Sequence, residues 1–211
     1  MLCRPLFLLC LFATAALSAQ QLPIDDFEHG LNPLWTKKSF QGETTYRVVV
    51  DGSGHVLHAR SQGAASGLVM KREYRLQETP LLSWRWKIKE IIADGDETKK
   101  SGDDFAARVY VVFPHWFFPK TKTISYVWGN KLARGGAVPS PFTGNATILA
   151  VESGNEKAGE WVSERRNVLD DYRRLFGEEA PRVGAIAIMT DTDNTGARTE
   201  AWYDDLQIEG P

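Results

Sequence analysis

The sequence predicts a mostly β domain, an antiparallel β-sandwich or jelly roll with one short helix on a connection. Three observations predict it. Short runs alternate apolar and polar residues with period two, the mark of half-buried strands. Clusters of Gly, Asn, Asp and Pro separate those runs. One stretch alone, Ser163 to Gly177, places Val168, Leu169, Tyr172, Leu175 and Phe176 at helical spacing, with Gly177 ready to cap its end.

Nine strands are expected along the chain: Tyr46 to Val50, Val56 to Arg60, Gly67 to Lys71, Leu81 to Lys89, Phe105 to Phe113, Thr123 to Trp128, Ala146 to Val151, Val183 to Thr190 and Ala201 to Ile208. Strand parity assigns faces. Leu82, Trp84, Trp86 and Ile88 share a core face, with Arg85, Lys87 and Lys89 opposite. In the next strand Phe105, Val109, Val111 and Phe113 form the apolar face and Arg108 and Tyr110 the other. The polar stretch Asp94 to Asp104 reads as an exposed turn.

Ahead of the strands, Arg4 precedes an apolar run from Leu6 to Leu17 that ends in Leu17-Ser18-Ala19. This is the layout of a cleavable signal peptide over residues 1–19, leaving 20–211 as one β-sandwich domain that is periplasmic or secreted. The run falls short of the roughly 20 apolar residues of a permanent span, so no membrane span is expected. Gln20 follows Ala19 where a lipoprotein would have Cys. Both cysteines, Cys3 and Cys10, fall in the removed segment, so no disulfide and no thiolate metal site is expected. Without Arg4 the chain's 25 basic side chains become 24, against 27 acidic ones. That near-balance speaks against a nucleic-acid partner held by bulk charge.

Familiar catalytic signatures are missing: no G-x-S-x-G elbow, phosphate loop or H-E-x-x-H occurs. His55 and His58 sit three apart in a strand, hence on opposite faces, which is wrong for a chelating pair. The two chain ends are acidic, IDDFEHGLNPLW and AWYDDLQIEG. If the terminal strands pair, Asp26 and Glu28 can meet Asp204 or Asp205 around a structural calcium, a cation that selects oxygen ligands; otherwise these acids cap turns. The run from Thr190 to Gly196 begins like an EF-hand loop at Asp191, but Trp202 stands where the bidentate Glu belongs. Tyr126, Trp128, Trp116 and Phe117 are the aromatic residues expected to be exposed.

The DFE-H-G-x(4)-W opening and the YDDL close resemble galactose-binding-like β-sandwiches found in carbohydrate-binding modules, which implies paired end strands and a possible calcium beside them. GDDFAARVYVVF, SYVWGN, ERRNVLDDYRRLFGEEAP and GAIAIMTDTDNTG are similar to the bacterial family called domain of unknown function 3047. Its recognisable positions are Asp103, Asp104, Arg108, Tyr126, Trp128, Arg165, Asp171, Tyr172, Asp191, Asp193, Asn194 and Thr195. The resemblance brings no catalytic residue.

The leading expectation is an exported, non-catalytic domain that binds a saccharide or related polar ligand through Asp103, Asp104, Arg108, Tyr126, Trp128, Asp191, Asp193 and Asn194. Two alternatives stand beside it. One is a glycan hydrolase drawing paired carboxylates from Asp103, Asp104, Asp191 and Asp193, which requires a separation of roughly 5 or 6.5–9.5 Å. The other is a structural accessory protein of the cell envelope. Arg108, in mid-strand, is expected to pair with Asp104, Asp191 or Asp193, because an unpaired buried guanidinium is costly.

Overall fold

The computed structural model describes residues 21–211; the signal-peptide reading and both cysteines lie outside the described residues. The strands run in order β1 (Gln21–Asp25), β2 (Trp35–Gln41), β3 (Thr45–Asp51), β4 (Gly54–Gln62), β5 (Ala65–Tyr74), β6 (Leu81–Ile88), β7 (Arg108–Phe113), β8 (Lys122–Gly129), β9 (Ala137–Ser140), β10 (Thr143–Ser153), β11 (Val162–Asn167), β12 (Val183–Asp191) and β13 (Arg198–Glu209). A single helix, α1 (Val168–Phe176), follows β11.

The strands form two sheets. One has the order β11-β6-β13-β4-β3, with β1 also paired to β13; the other has the order β2-β5-β12-β7-β8-β10-β9. They pack face to face as a β-sandwich with one helix. Trp84 and Trp86 of the first sheet meet Tyr126 and Trp128 of the second, with ring centroids 5.5 and 5.8 Å apart. Tyr203 crosses the core so that its hydroxyl donates to the Met189 carbonyl at 2.7 Å and accepts from the Arg108 amide at 3.3 Å. This ties β13 to β12 and β7, the strands that carry the site.

All nine expected strands are present, and parity in β6 holds: Leu82, Trp84, Trp86 and Ile88 are buried. Several expectations need correction. β8 and β10 pair in parallel, against the purely antiparallel expectation. Residues 130–142 supply the crossover of about a dozen residues that parallel neighbours need. The helical reading from Ser163 also starts too early. Its first part is β11, a polar edge strand on β6, and α1 begins only after Asn167, whose side chain accepts from the Asp170 amide at 3.1 Å. Gly177 ends the helix in the left-handed conformation (φ 68°), where a side chain would be strained.

Tyr126 and Trp128 are fully buried, not exposed. They share parity with Ile124 and therefore point into the core, where the Tyr126 hydroxyl reaches Asp171 at 3.0 Å and the Trp128 indole donates to the Gly154 carbonyl at 2.9 Å. Trp116 and Phe117 do lie at the surface. No described helix is long and apolar enough to cross a membrane.

Candidate functional site

Two connections cross from one sheet to the other at the same end of the sandwich. The β6–β7 connection carries Asp103 and Asp104, and the β12–β13 turn carries Asp193, Asn194 and Thr195. Asp104 laces them together. One of its carboxylate oxygens accepts from the Asn194 amide and side chain at 3.2 and 3.1 Å, and the other accepts from the Thr195 amide and hydroxyl, both at 2.6 Å. A buried carboxylate is tolerable only with such donors.

The β6–β7 connection is only in part the exposed turn its composition predicts: Asp94, Thr98, Lys99, Lys100 and Ser101 are exposed, but Glu97, Asp103 and Asp104 are buried. Glu97 is buried, and its carboxylate accepts from the backbone amides of Asn130 at 2.5 Å and Leu132 at 3.2 Å. Asn130 in turn donates to the Asp104 carbonyl at 2.8 Å. The Glu97 and Asp104 side chains therefore face inward, onto backbone groups, and fix the loop.

Arg108 opens β7 and is 6% exposed. Its Nε donates to Asp191 Oδ1 at 2.9 Å and its Nη2 to Asp191 Oδ2, the two-pronged pairing a guanidinium makes with a carboxylate. A further bond from Nη2 reaches the Asp103 carbonyl at 3.3 Å, and Nη1 stands 3.6 Å from Asp103 Oδ1. The guanidinium also lies over Phe105, 4.6 Å from the ring centre. Phe105 is thus on the Arg108 side, contrary to the expected parity. It precedes β7, so strand alternation does not extend to it, and it packs with Val127, Ile148 and Ala150.

These residues border a cleft of about 470 Å³ on the outer face of the seven-stranded sheet. Arg108 and Tyr110 of β7, Ser125 of β8, and Met189 and Asp191 of β12 form its floor; Phe40 and Phe142 stand at its edge, 63% and 54% exposed. Two buried polar atoms in its wall lack hydrogen-bond partners: Ser125 Oγ and Asp103 Oδ1. Burial raises the Asp103 carboxyl above its usual range. The same holds for Asp193, to which the Asp104 charge adds.

Of the residues expected to bind ligand, the structure brings Asp103, Arg108, Asp191, Asp193 and Asn194 to this cleft. Asp104 stands behind them as their brace. Tyr126 and Trp128 belong to the core. Ser125, Phe40 and Phe142 were not anticipated, although the parity of β8 places Ser125 on the face opposite Ile124 and Tyr126.

The chain ends do pair, β1 against β13, but their acids do not gather. Glu28 accepts from the His55 amide at 3.0 Å and faces its ring, Asp204 is held by Arg85, and Asp205 lies 2.9 Å from the same guanidinium. Asp25, rather than Asp26, organises the opening motif, accepting from the Phe27 and Asn32 amides and the Trp35 indole at 3.0, 3.1 and 2.8 Å. A larger cleft of about 530 Å³ near these ends pairs Arg165 with Glu209 at 3.1 Å and Arg85 with Asp205 at 2.9 Å, while the buried Oε1 of Glu164 in its lining has no hydrogen-bond partner. Among the described residues, the carboxylates near enough to hold a cation together are Asp104, Asp191 and Asp193, with oxygens within 4.8 Å of one another. They fit one poorly, because the Asp104 oxygens already accept four donors and those of Asp191 are taken by Arg108.

Solved structures similar to the chain include a family 29 carbohydrate-binding module, 12% identical over 92% of this chain and 87% of that one, with a TM-score of 0.45. Another is the xyloglucanase domain of NopAA, a type three effector from Sinorhizobium fredii, 10% identical over 84% and 93% of the two chains, with a TM-score of 0.45. The carbohydrate recognition domain of Emp47p is 8% identical over 94% and 99%, with a TM-score of 0.44. No curated protein matches the chain. The family model described as "Protein of unknown function (DUF3047)" matches residues 33–207, the stretch that holds every residue of the cleft, and the chain belongs to that family.

Proposed function

We propose that the protein is an exported binding domain, residues 20–211 after removal of a signal peptide, that holds a saccharide in the cleft on the outer face of the seven-stranded sheet. The observation that carries this reading is the pairing of two exposed phenyl rings, Phe40 and Phe142, with a buried polar floor in which Ser125 Oγ and Asp103 Oδ1 have no partner. A buried unpaired polar atom costs about 1–3 kcal/mol, and a ligand that reaches it recovers part of that cost. A sugar ring is built for such a cleft, with a C–H face to lie against a phenyl ring and hydroxyls at its edge to meet the floor. Mostly apolar walls with a few placed polar groups are the usual make-up of a small-ligand site.

Two of the four acids are engaged, which leaves Asp103 and Asp193 as the pair that hydrolysis would have to use. Asp104 is saturated by amide and hydroxyl donors and Asp191 by Arg108, so neither is free to act as nucleophile or base. Calcium has no part in this reading. A glycan array probed with the purified mature domain, with released sugar followed in parallel, tests it. Retention of a glycan without release is expected, and Phe142→Ala should weaken it. Sugar release would carry the hydrolase reading instead, and an array without binding would end the saccharide reading.

A further inference from the structure

We infer that the cleft takes an amino sugar, whose protonated amine is received by the carboxylates of Asp103 and Asp193; this rests on the saccharide-binding reading above. Four carboxylates, Asp103, Asp104, Asp191 and Asp193, surround one guanidinium, Arg108, and that guanidinium is committed to Asp191 through two hydrogen bonds. Asp104 is well solvated by four donors, but all four are neutral, so they bring hydrogen bonds without compensating charge. Asp103 shares the Arg108 guanidinium only at 3.6 Å, and Asp193 forms no ion pair among the described residues. Burial is the main cause that raises both carboxyls, and the neighbouring Asp104 charge adds to it.

The missing charge is better supplied by an ammonium than by a metal ion. Calcium needs 6–8 oxygen ligands, and at Asp104 and Asp191 the oxygens are already in use. An ammonium has three N–H donors and is satisfied by two or three acceptors. Asp103 Oδ1 is buried without a hydrogen bond and borders the cleft, and Asp193 is half-buried on the same wall. Outside the acidic group, the buried hydroxyl of Ser125 also lacks a partner and is placed to meet a ring hydroxyl. The phenyl rings at the edge distinguish a sugar from an open-chain amine, which has no ring face to lay against them.

Calorimetric titration of the whole mature domain in mildly acidic buffer separates the possibilities. The ligands are a β-linked glucosamine oligomer, its N-acetylated counterpart, the neutral glucose oligomer of equal length, and spermidine. The free-amine oligomer is expected to bind about ten- to a hundred-fold more tightly than either neutral oligomer, the factor that one charge-assisted hydrogen bond carries. Asp193→Asn should bring the ratio of free-amine to neutral-oligomer affinity close to one, with thermal melting to verify the fold; the comparison among ligands stands without the variant. Equal or tighter binding of a neutral oligomer, or spermidine binding as tightly as the glucosamine oligomer, overturns the amino-sugar inference and leaves the saccharide site standing. Absence of binding by every oligomer overturns both.

Discussion

Replacing Arg108 by Met removes the charge that Asp191 depends on while keeping much of the side chain's bulk. In the native fold Asp191 is 1% exposed and takes both of its guanidinium bonds from Arg108, and Asp103 has no other cation so near. Breaking a buried pair by deleting one partner strands the other charge, at about 3–5 kcal/mol. For a domain of this size each kcal/mol moves the melting temperature by roughly 2–4 °C, so a fall of about 6–20 °C is expected. Differential scanning calorimetry of the purified variant reads it. The double variant Arg108→Met with Asp191→Asn should recover about 1–3 kcal/mol, because it no longer leaves a buried anion unpaired. A single variant melting within 2 °C of wild type, or a double variant with no recovery, would refute the reading of Arg108 as a brace.

Other outcomes follow from the same structure. Burial pushes the Glu164 carboxyl up to about 7, and its Oε1 has no hydrogen-bond partner. The folded chain thus holds a proton that the unfolded chain releases near 4.5, so stability is fullest below that pH and falls as pH rises toward 7. Glu164→Gln should flatten this window and add about 1–3 kcal/mol at pH 8, allowing for partial solvent screening; melting curves that superimpose on wild type at every pH would contradict it. Glu97→Ala should loosen the β6–β7 connection and raise amide exchange at Asn130 and Leu132, and unchanged protection there would show that Glu97 does not hold the loop. Chelator and excess calcium should leave the melting temperature where it is, since Glu28, Asp204 and Asp205 are engaged by His55 and Arg85; a calcium-dependent rise would restore a metal at the chain ends. Intact-mass analysis of protein from its native envelope should give an N-terminus at Gln20, and retention of residues 1–19 would defeat the signal-peptide reading.

Much of the scaffold was legible because alternation is a direct imprint of a two-faced sheet, as in β6, where every second residue enters the core. Four strands left no such imprint. β2 is largely exposed, β9 has only four residues and contains Pro139, β11 is a polar edge, and β1 sits at the margin of its sheet. The pairing of Arg108 with an acid was legible from the cost of burying a guanidinium, and the choice of Asp191 required the fold. Composition misled at Asp94 to Asp104, because it cannot say whether a carboxylate faces water or a backbone amide; Glu97 and Asp104 face amides. The exposure expected at Tyr126 and Trp128 ignored the parity of the strand Thr123 to Trp128, which turns both inward with Ile124 and places Ser125 on the opposite face.

The cleft's role is tested most directly by solution NMR of the ¹⁵N-labelled mature domain, titrated with the glycan selected from the array. Amide shifts should cluster at Tyr110, Ser125, Phe142, Asp193 and Asn194, the wall of the outer face of the seven-stranded sheet. Shifts centred instead on His58, Trp161 and Trp202, where His58 stacks on Trp202 and Lys87 lies over both tryptophans on the opposite sheet, would contradict the account.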